Sequence, residues 1–205
     1  IKYIILKMSE KNLKINKILA QAFQYHLNNN FEQAKSLYKK ILNLDSNHFE
    51  SIFLLGSLLV QTKDLNNAVK LLNQAIKIKP DHTDANYNLG LALTELQEFS
   101  KAAYYCQKAI QLNPHHLEAY NNLGNILKEL KEFKKAKNCY QKATEIKPDF
   151  TKAQNNLGNI LKEFGEFSKA MICYQKVIKI QPNNANAHYN LALLYKILGN
   201  FPKTI

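Results

Sequence analysis

The stretch NLGNILKE at residues 122–129 returns unchanged at residues 156–163, 34 positions further along the chain. Single residues keep the same interval over a longer span, in two series: Gly56, Gly90, Gly124 and Gly158, and Pro80, Pro114, Pro148 and Pro182. A fixed period of this length is typical of solenoids, in which each supersecondary unit packs only against its neighbours. Such an architecture offers a long continuous surface rather than one deep cleft, which favours a binding function.

Apolar residues at helical spacing form two stripes in each period, and in the period 83–116 the break between them falls at Gln97 and Glu98. Each stripe is about thirteen residues long, which is marginal for an isolated helix, so packing must stabilise it. Over the whole chain the pattern predicts an all-α fold without strands, with helices at 15–28, 31–44, 49–62, 65–78, 83–96, 99–112, 117–130, 133–146, 151–164, 167–180 and 185–198.

Glycine recurs in the middle of the first helix of each pair, where it costs about 1 kcal/mol relative to alanine. A steric reason is therefore needed, and we expect another helix to approach closely at these positions. A column of small residues in the second helices supports the same interpretation: Ala68, Ala102, Ala136 and Ala170.

The repeats resemble the tetratricopeptide repeat, whose pattern has a Leu-Gly pair in the first helix, Ala, an aromatic residue and Ala in the second, and a closing Pro. Residues 117–150 match it with Leu123, Gly124, Ala136, Tyr140, Ala143 and Pro148. Residues 151–184 match it with Leu157, Gly158, Ala170, Tyr174 and Pro182, and depart from it at Val177.

The resemblance implies a tetratricopeptide-repeat α-solenoid, a right-handed superhelix of antiparallel helix pairs. It divides the chain into an extension at 1–14, a degenerate first repeat at 15–48, full repeats at 49–82, 83–116, 117–150 and 151–184, and a truncated sixth repeat at 185–205. We interpret Met8 as the natural start. Residues 200–205 begin a further helix that stops within its first turns, so we expect this sequence to be the front part of a longer protein.

The net charge of +12 raises the question of nucleic-acid binding, because lysines neutralise phosphates. All 28 basic residues are lysine, however, and the bidentate contacts of arginine are missing. We therefore interpret the charge as a solvated basic surface and do not expect nucleic acid to be the ligand. No apolar run reaches the roughly 20 residues of a membrane span, and three cysteines without a CxxC pair favour a reducing cytoplasm.

Signatures of chemistry are missing from the sequence. It contains no GxGxxG, GxxxxGK, GxSxG or HExxH motif, and the six histidines are scattered without carboxylate or thiol partners. We expect no catalytic residue, no metal site and no cofactor in this chain.

Asparagines on the predicted first helices are the candidate binding residues. In tetratricopeptide solenoids these helices line the concave groove, where the 34-residue interval places Asn88, Asn122, Asn156 and Asn190, reinforced by Asn121, Asn125, Asn155 and Asn159. A carboxamide offers donors and an acceptor, so such a column suits the backbone of an extended peptide, and we expect the four periodic amides to face solvent without ligand. Local hydrogen bonding, or a composition rich in Asn, is the alternative interpretation.

A lysine column accompanies the asparagines at Lys128 and Lys162, each followed by a glutamate. If this column binds a ligand, it would favour acidic segments. The alternative interpretation is that these lysines are the solvated side of an amphipathic helix. Repeats that grip the C-terminal carboxylates of chaperones use basic groove residues, but the matching positions here carry none: Phe53, Leu54, Tyr87, Asn88, Asn121 and Asn122. We therefore expect a protein or peptide ligand and no carboxylate clamp.

The segments NLGNILKE, CYQKA and CYQKV resemble the repeats at the front of O-GlcNAc transferases and their bacterial relatives. This resemblance implies an Asn-lined arm that recruits protein substrate to a glycosyltransferase, or sulfotransferase, domain located after Ile205. The alternative is a free-standing adaptor that joins proteins and has no enzyme domain. The reading frame after Ile205 distinguishes the two.

Overall fold

The computed structural model describes residues 2–199, with side chains from residue 10 onward, and every regular element in this part of the chain is a helix. There are eleven: α1 (Lys2–Leu27), α2 (Phe31–Leu44), α3 (Phe49–Gln61), α4 (Leu65–Ile78), α5 (Thr83–Glu95), α6 (Phe99–Leu112), α7 (Leu117–Glu129), α8 (Phe133–Ile146), α9 (Thr151–Glu163), α10 (Phe167–Ile180) and α11 (Ala185–Ile197). The all-α prediction is confirmed, and from α2 onward the predicted bounds agree to within one residue.

The predicted helix start at residue 15 is wrong, because α1 begins at Lys2. Residues 2–14 contain no Gly or Pro, so nothing in the sequence stops a helix that already runs to Leu27. The sixth predicted repeat is described as far as Gly199, and residues 200–205 lie outside the described part of the chain.

One backbone turn recurs at the end of each first helix (α1, α3, α5, α7, α9 and α11). A residue with left-handed φ, between 59° and 73°, stands there at intervals of 34: Asn29, Lys63, Gln97, Lys131, Gly165 and Gly199. After the first five of these residues the next amide bonds back over the turn, as where Glu132 N–H donates to Leu127 O at 2.8 Å. This is a Schellman cap, which ends one helix and reverses the chain.

The chain divides into two compact units between Tyr105 and Cys106. In the first unit each helix from α1 to α5 packs against the next, and α3 also packs against α5. In the second unit the same holds from α7 to α11, where α9 packs against both α7 and α11. The first helices α3 and α5 therefore lie side by side in the first unit, and α7, α9 and α11 do so in the second.

The core of each pair is built from the predicted periodic residues. In α7 the buried side chains include Leu123, Ile126 and Leu127, and in α8 Ala136 and Tyr140 are completely buried. These positions share one face of their helix at a spacing of three or four, so their burial fixes which residues point away from the core. The predicted asparagines of α7 lie along the edge of this core.

Candidate functional site

The candidate binding residues all lie on first helices. Asn88 is on α5 in the first unit, whereas the other nine are in the second unit: on α7 Asn121, Asn122, Asn125 and Lys128, on α9 Asn155, Asn156, Asn159 and Lys162, and on α11 Asn190. Because α9 packs against α7, carboxamides from these two first helices come within hydrogen-bonding distance, and α9 reaches α11 through Lys162 and Asn190. We call the asparagines of α7, α9 and α11 the Asn array.

One amide of α9 joins two amides of α7. Asn156 Nδ2 donates to Asn121 Oδ1 at 2.9 Å and to Asn125 Oδ1 at 3.1 Å. Both donor hydrogens of Asn156 are therefore used before any ligand arrives, and its side chain is half-buried. The expectation that this amide faces solvent freely is wrong, because a carboxamide on the neighbouring helix supplies the acceptors that water would otherwise provide.

Two buried tyrosines of the second helices donate hydrogen bonds to asparagines of the array. Tyr140 OH donates to Asn125 Oδ1 and Tyr174 OH donates to Asn159 Oδ1, each at 2.8 Å. Both tyrosines are completely buried, and burial raises the pKa of both phenols above the ordinary value. The hydroxyls therefore stay protonated at neutral pH and remain able to donate.

The mid-helix glycines provide the space for these tyrosine rings. A Cβ at Gly124 would lie 2.7 Å from Tyr140 Cδ1, and one at Gly158 would lie 2.6 Å from Tyr174 Cε1. Both separations are well inside van der Waals contact, so any side chain would displace the ring. The predicted close approach is thus found, and at these two positions it is made by an aromatic ring.

The periodic asparagines outside this network also have partners. Asn88 Nδ2 donates to Ser57 Oγ at 2.8 Å, and Lys162 Nζ donates to Asn190 Oδ1 at 3.4 Å. Asn122 is half-buried and likewise takes part in an interaction within the protein. The expectation that these amides simply face solvent is therefore not met at Asn88 and Asn190, because each is half-buried and bonds to a polar group of a neighbouring first helix.

Two further candidates are half-buried. Lys128 is half-buried on α7, so it is only partly solvated. Asn155 has its Oδ1 buried without a hydrogen-bond partner within the described residues. An unpaired buried carbonyl costs free energy, so Asn155 does not contribute to stability through this atom.

Histidines in the inter-repeat turns cap the first helices. The Nδ1 atoms of His48, His82 and His116 accept from the backbone N–H three residues on, at 3.1–3.3 Å. The sequence analysis missed this role because histidine is not among the usual N-cap residues. Its recurrence every 34 residues directly before a helix was the available signal.

The three cysteines are free thiols, and burial raises the pKa of Cys106 to about 12 and those of Cys139 and Cys173 to about 11. Such thiols are almost entirely protonated at neutral pH and are poor nucleophiles. Within residues 2–199 no cluster of three or more His, Cys, Asp or Glu side chains could hold a metal ion. None of the helices described there combines the length and apolar character that crossing a membrane requires.

Comparison with known families identifies the repeat. A family profile described as TPR repeat matches residues 56–97 and 158–199, and one described as Tetratricopeptide repeat matches residues 83–116 and 117–150. Together the two profiles cover more than half of the chain. A search of curated proteins found no match.

Several solved structures are similar to most of this chain. A crystal structure of MamA is 27% identical with a TM-score of 0.73, covering 80% of this chain and 96% of MamA. YrrB, described as a TPR protein with an unusual peptide-binding site, is 26% identical with a TM-score of 0.70, covering 84% and 89%. PilF of Pseudomonas aeruginosa has a TM-score of 0.83 and covers 93% and 87%, but at 19% identity it shows the fold alone.

Proposed function

Because the chain belongs to the tetratricopeptide repeat family, we propose that it is a protein-binding scaffold whose Asn array holds an extended peptide segment. The observation that carries the proposal is the network on α7 and α9, where Asn156 bonds to Asn121 and Asn125. Asn125 is exposed, and its carboxamide N–H₂ points away from the oxygen that accepts these bonds. An array that is already hydrogen-bonded is held in place, so little side-chain entropy is lost when a ligand binds.

The chemistry of the array fits a peptide backbone. An extended peptide exposes C=O and N–H groups in alternation, and carboxamides can pair with both. Binding of this kind reads the backbone rather than the side chains, so it tolerates many sequences. YrrB, a relative of similar length, is described as having a peptide-binding site, which supports the same class of ligand.

The experiment uses a variant in which Asn122, Asn156 and Asn190 are replaced by alanine. A 12-residue peptide is first selected on the wild-type chain from a randomised phage-displayed library, labelled with fluorescein and titrated by anisotropy. Three carboxamides at a net 0.5–1.5 kcal/mol each should weaken binding at least tenfold.

The matched control replaces three exposed asparagines of second helices, namely Asn43, Asn66 and Asn138. It should bind the peptide like the wild type, and circular dichroism should show both variants folded. Equal affinity of wild type and array variant would move the binding site away from the Asn array and overturn the proposal.

We further propose that this scaffold is the substrate-recruiting arm of an O-GlcNAc transferase-like glycosyltransferase of the cytoplasm. The support is the resemblance of NLGNILKE and CYQKA to the repeats of those enzymes, and the three unpaired thiols fit a reducing compartment. Sequencing the gene beyond Ile205 tests it, because a glycosyltransferase domain supports the proposal and a stop codon after a few more repeats refutes it.

A free-standing adaptor that joins two proteins is the second candidate. Its support is the likeness of this chain to MamA and to YrrB, the latter described as a TPR protein with a peptide-binding site. An adaptor must hold two partners at once, so two peptides selected separately on the chain should bind together in analytical ultracentrifugation. Strict competition between every selected pair would contradict an adaptor.

Protein rather than nucleic acid remains the proposed partner despite the net charge of +12. Part of the lysine charge is neutralised locally, as where Lys137 pairs with Glu166 at 2.9 Å. We expect single-stranded and double-stranded DNA to bind weakly and to dissociate steeply as salt rises. A salt-resistant, sequence-selective complex of nanomolar affinity would contradict this.

A further inference from the structure

Asparagine and tyrosine occur together in the repeats of this chain. In each of the first five repeats we compare the residue directly after the central Gly or Ala of the first helix with the residue fifteen positions later, which lies on the second helix. The pairs in chain order are Phe23 with Tyr38, Ser57 with Leu72, Leu91 with Cys106, Asn125 with Tyr140 and Asn159 with Tyr174. Wherever Asn occupies the first position, Tyr occupies the second, and the structure shows each of these two pairs hydrogen-bonded at 2.8 Å.

The hydrogen-bond network on α7 and α9 could in principle run in either of two directions. We call these directions its polarities, and they differ in which amide donates and which amide accepts. If Asn121, Asn125 and Asn156 all exchanged the positions of their oxygen and nitrogen, every amide–amide hydrogen bond would survive with donor and acceptor reversed. The amides alone therefore do not decide which group points outward.

The tyrosine hydroxyl breaks this symmetry. Tyr140 is completely buried, and Asn125 Oδ1 is the acceptor that its O–H reaches. In the reversed polarity the O–H would face the N–H₂ of Asn125 and would be left as a buried donor without an acceptor, which costs more than an unused acceptor lone pair. Burial also raises the pKa of Tyr140, so the hydroxyl keeps its proton.

We propose that Tyr140 and Tyr174 are positioning residues that fix the polarity of the Asn array for a peptide backbone. Asn125 and Asn159 then present N–H donors outward, and Asn156, whose Nδ2 is used, presents its Oδ1 as an acceptor. The ligand class is an extended peptide with carbonyl groups facing Asn125 and Asn159 and an N–H group facing Asn156. The ligand half of this inference rests on the proposed function.

The first test uses the free protein, so it does not depend on any ligand. Side-chain N–H₂ signals of the asparagines are followed by ¹⁵N NMR in wild type, Tyr140→Phe and Tyr38→Phe. The control is matched, because Tyr38 is also completely buried at the same repeat position, but its hydroxyl contacts His26 Nδ1 at 3.3 Å and no asparagine of the array.

In wild type the Asn156 N–H₂ should exchange slowly with solvent, because both hydrogens are bonded. Tyr140→Phe removes the hydroxyl that selects one polarity of the network. This change should speed the exchange of the Asn156 N–H₂ severalfold and shift the Asn125 signals, whereas Tyr38→Phe should leave both unchanged. Identical Asn156 exchange in wild type and Tyr140→Phe, with both proteins folded by circular dichroism, would overturn the positioning role.

The second test measures binding of the selected 12-residue peptide and of versions that carry a single backbone N-methyl group. Tyr140→Phe/Tyr174→Phe should weaken binding about tenfold while Tyr38→Phe binds like wild type. One or two N-methyl positions, those facing the Asn156 acceptor, should lose binding to the wild type.

The outcomes separate the two proposals. If library selection yields no peptide, or removing the array amides leaves affinity unchanged, the proposed function fails and the ligand half of the inference fails with it, whatever the NMR result. If the array is needed but the double Phe variant binds like wild type, or every N-methyl peptide binds equally, the proposed function stands and the polarity of the array is overturned as a determinant of binding.

Discussion

The helix pairs α3–α4 and α7–α8 have equal lengths and the same turn, yet different chemistry at the same positions. In α3–α4 the mid-helix Gly56 faces Leu72, and the next residue, Ser57, bonds to its own helix at Phe53 O at 2.9 Å. In α7–α8 Gly124 faces Tyr140, whose hydroxyl reaches the next residue. The space above the glycine thus accepts either an aliphatic or a phenolic side chain, and only the phenol fixes an outward amide.

The two first helices also differ near their N-terminal ends. On α3, Phe49 and Phe53 stack with ring centroids 6.1 Å apart, and His82 lies 4.9 Å and 4.6 Å from them. On α7 the equivalent positions are Leu117 and Asn121. One pair has aromatic contacts at these positions, and the other has the buried Asn121, whose Oδ1 accepts a hydrogen bond from Asn156 of the next first helix, so the fold permits a division between stability and recognition.

Replacing the mid-helix glycines should give the largest difference in stability between the two helix pairs. Gly124→Ala should lower the free energy of unfolding by about 1–3 kcal/mol, because the rigid Tyr140 ring cannot yield to the new methyl group. Gly56→Ala should change it by less than about 1 kcal/mol, since the methyl meets the flexible Leu72 side chain at 2.9 Å and alanine is the better helix former.

Urea unfolding followed by circular dichroism measures both variants. Tyr140→Leu recreates the α3–α4 arrangement, so combining it with Gly124→Ala should recover much of the loss. Equal destabilisation by the two alanines would show that the ring is not what requires glycine.

The residue after each glycine should give the next largest difference. Asn125→Ala leaves the buried Tyr140 hydroxyl without its acceptor and should cost about 1–3 kcal/mol. Ser57→Ala removes an ordinary pair of hydrogen bonds and should cost about 0.5–1.5 kcal/mol. Unfolding in urea gives both values, and adding Tyr140→Phe to Asn125→Ala should reduce the cost. No such reduction would argue against an orphaned hydroxyl.

The aromatic cluster of α3 gives a smaller effect. His82→Ala removes the cap of α5 and the contacts with Phe49 and Phe53, and we expect a loss of about 1 kcal/mol in unfolding free energy. His82→Asn keeps a capping acceptor, so it should recover the part of the loss due to the cap. If the two variants unfold identically, the cap contributes nothing.

The smallest expected effect is electrostatic and belongs to α3–α4. Burial alone would raise the pKa of Glu50, but hydrogen bonds from its own backbone N–H and from Lys79, at 3.2 Å, outweigh it and lower the pKa. The stabilisation is therefore complete above the unfolded value of about 4.3 and disappears as the pH falls through the folded value. Glu50 is half-exposed, so it contributes less than about 1 kcal/mol.

Unfolding curves at a series of pH values from neutral to 3 test this. Glu50→Gln should flatten the decrease in stability at acid pH, and Lys79→Met should do the same. If neither variant changed the loss of stability at acid pH, the Glu50–Lys79 pair would make no contribution to the stability of α3–α4.

The sequence predicted the fold well because its signals are local and repeated. Proline follows four of the second helices, glycine marks the first helices, and the apolar stripes between them define the helix bounds. The start of α1 was missed because no residue near position 15 begins or ends a helix. The capping histidines were missed because their role depends on ring orientation rather than on residue type.

The candidate site was only partly predictable. The spacing placed Asn88, Asn156 and Asn190 on first helices, but it did not reveal their hydrogen bonds to other helices. The bond from Tyr140 to Asn125 joins residues on two helices, across a ring that lies on Gly124, so it depends on packing that periodicity does not encode. The joint occurrence of Asn and Tyr in two repeats was the sequence signal for it.

The glycine, asparagine and tyrosine that act together lie within a single helix pair, and this has an evolutionary consequence. Duplicating one 34-residue segment copies the space, the amide and the hydroxyl that orients it in one event. The repeats at 117–150 and 151–184, with their shared NLGNILKE, are what such an event leaves behind. A lineage could therefore lengthen this recognition surface by gene duplication alone, without first finding a new way to pack its core.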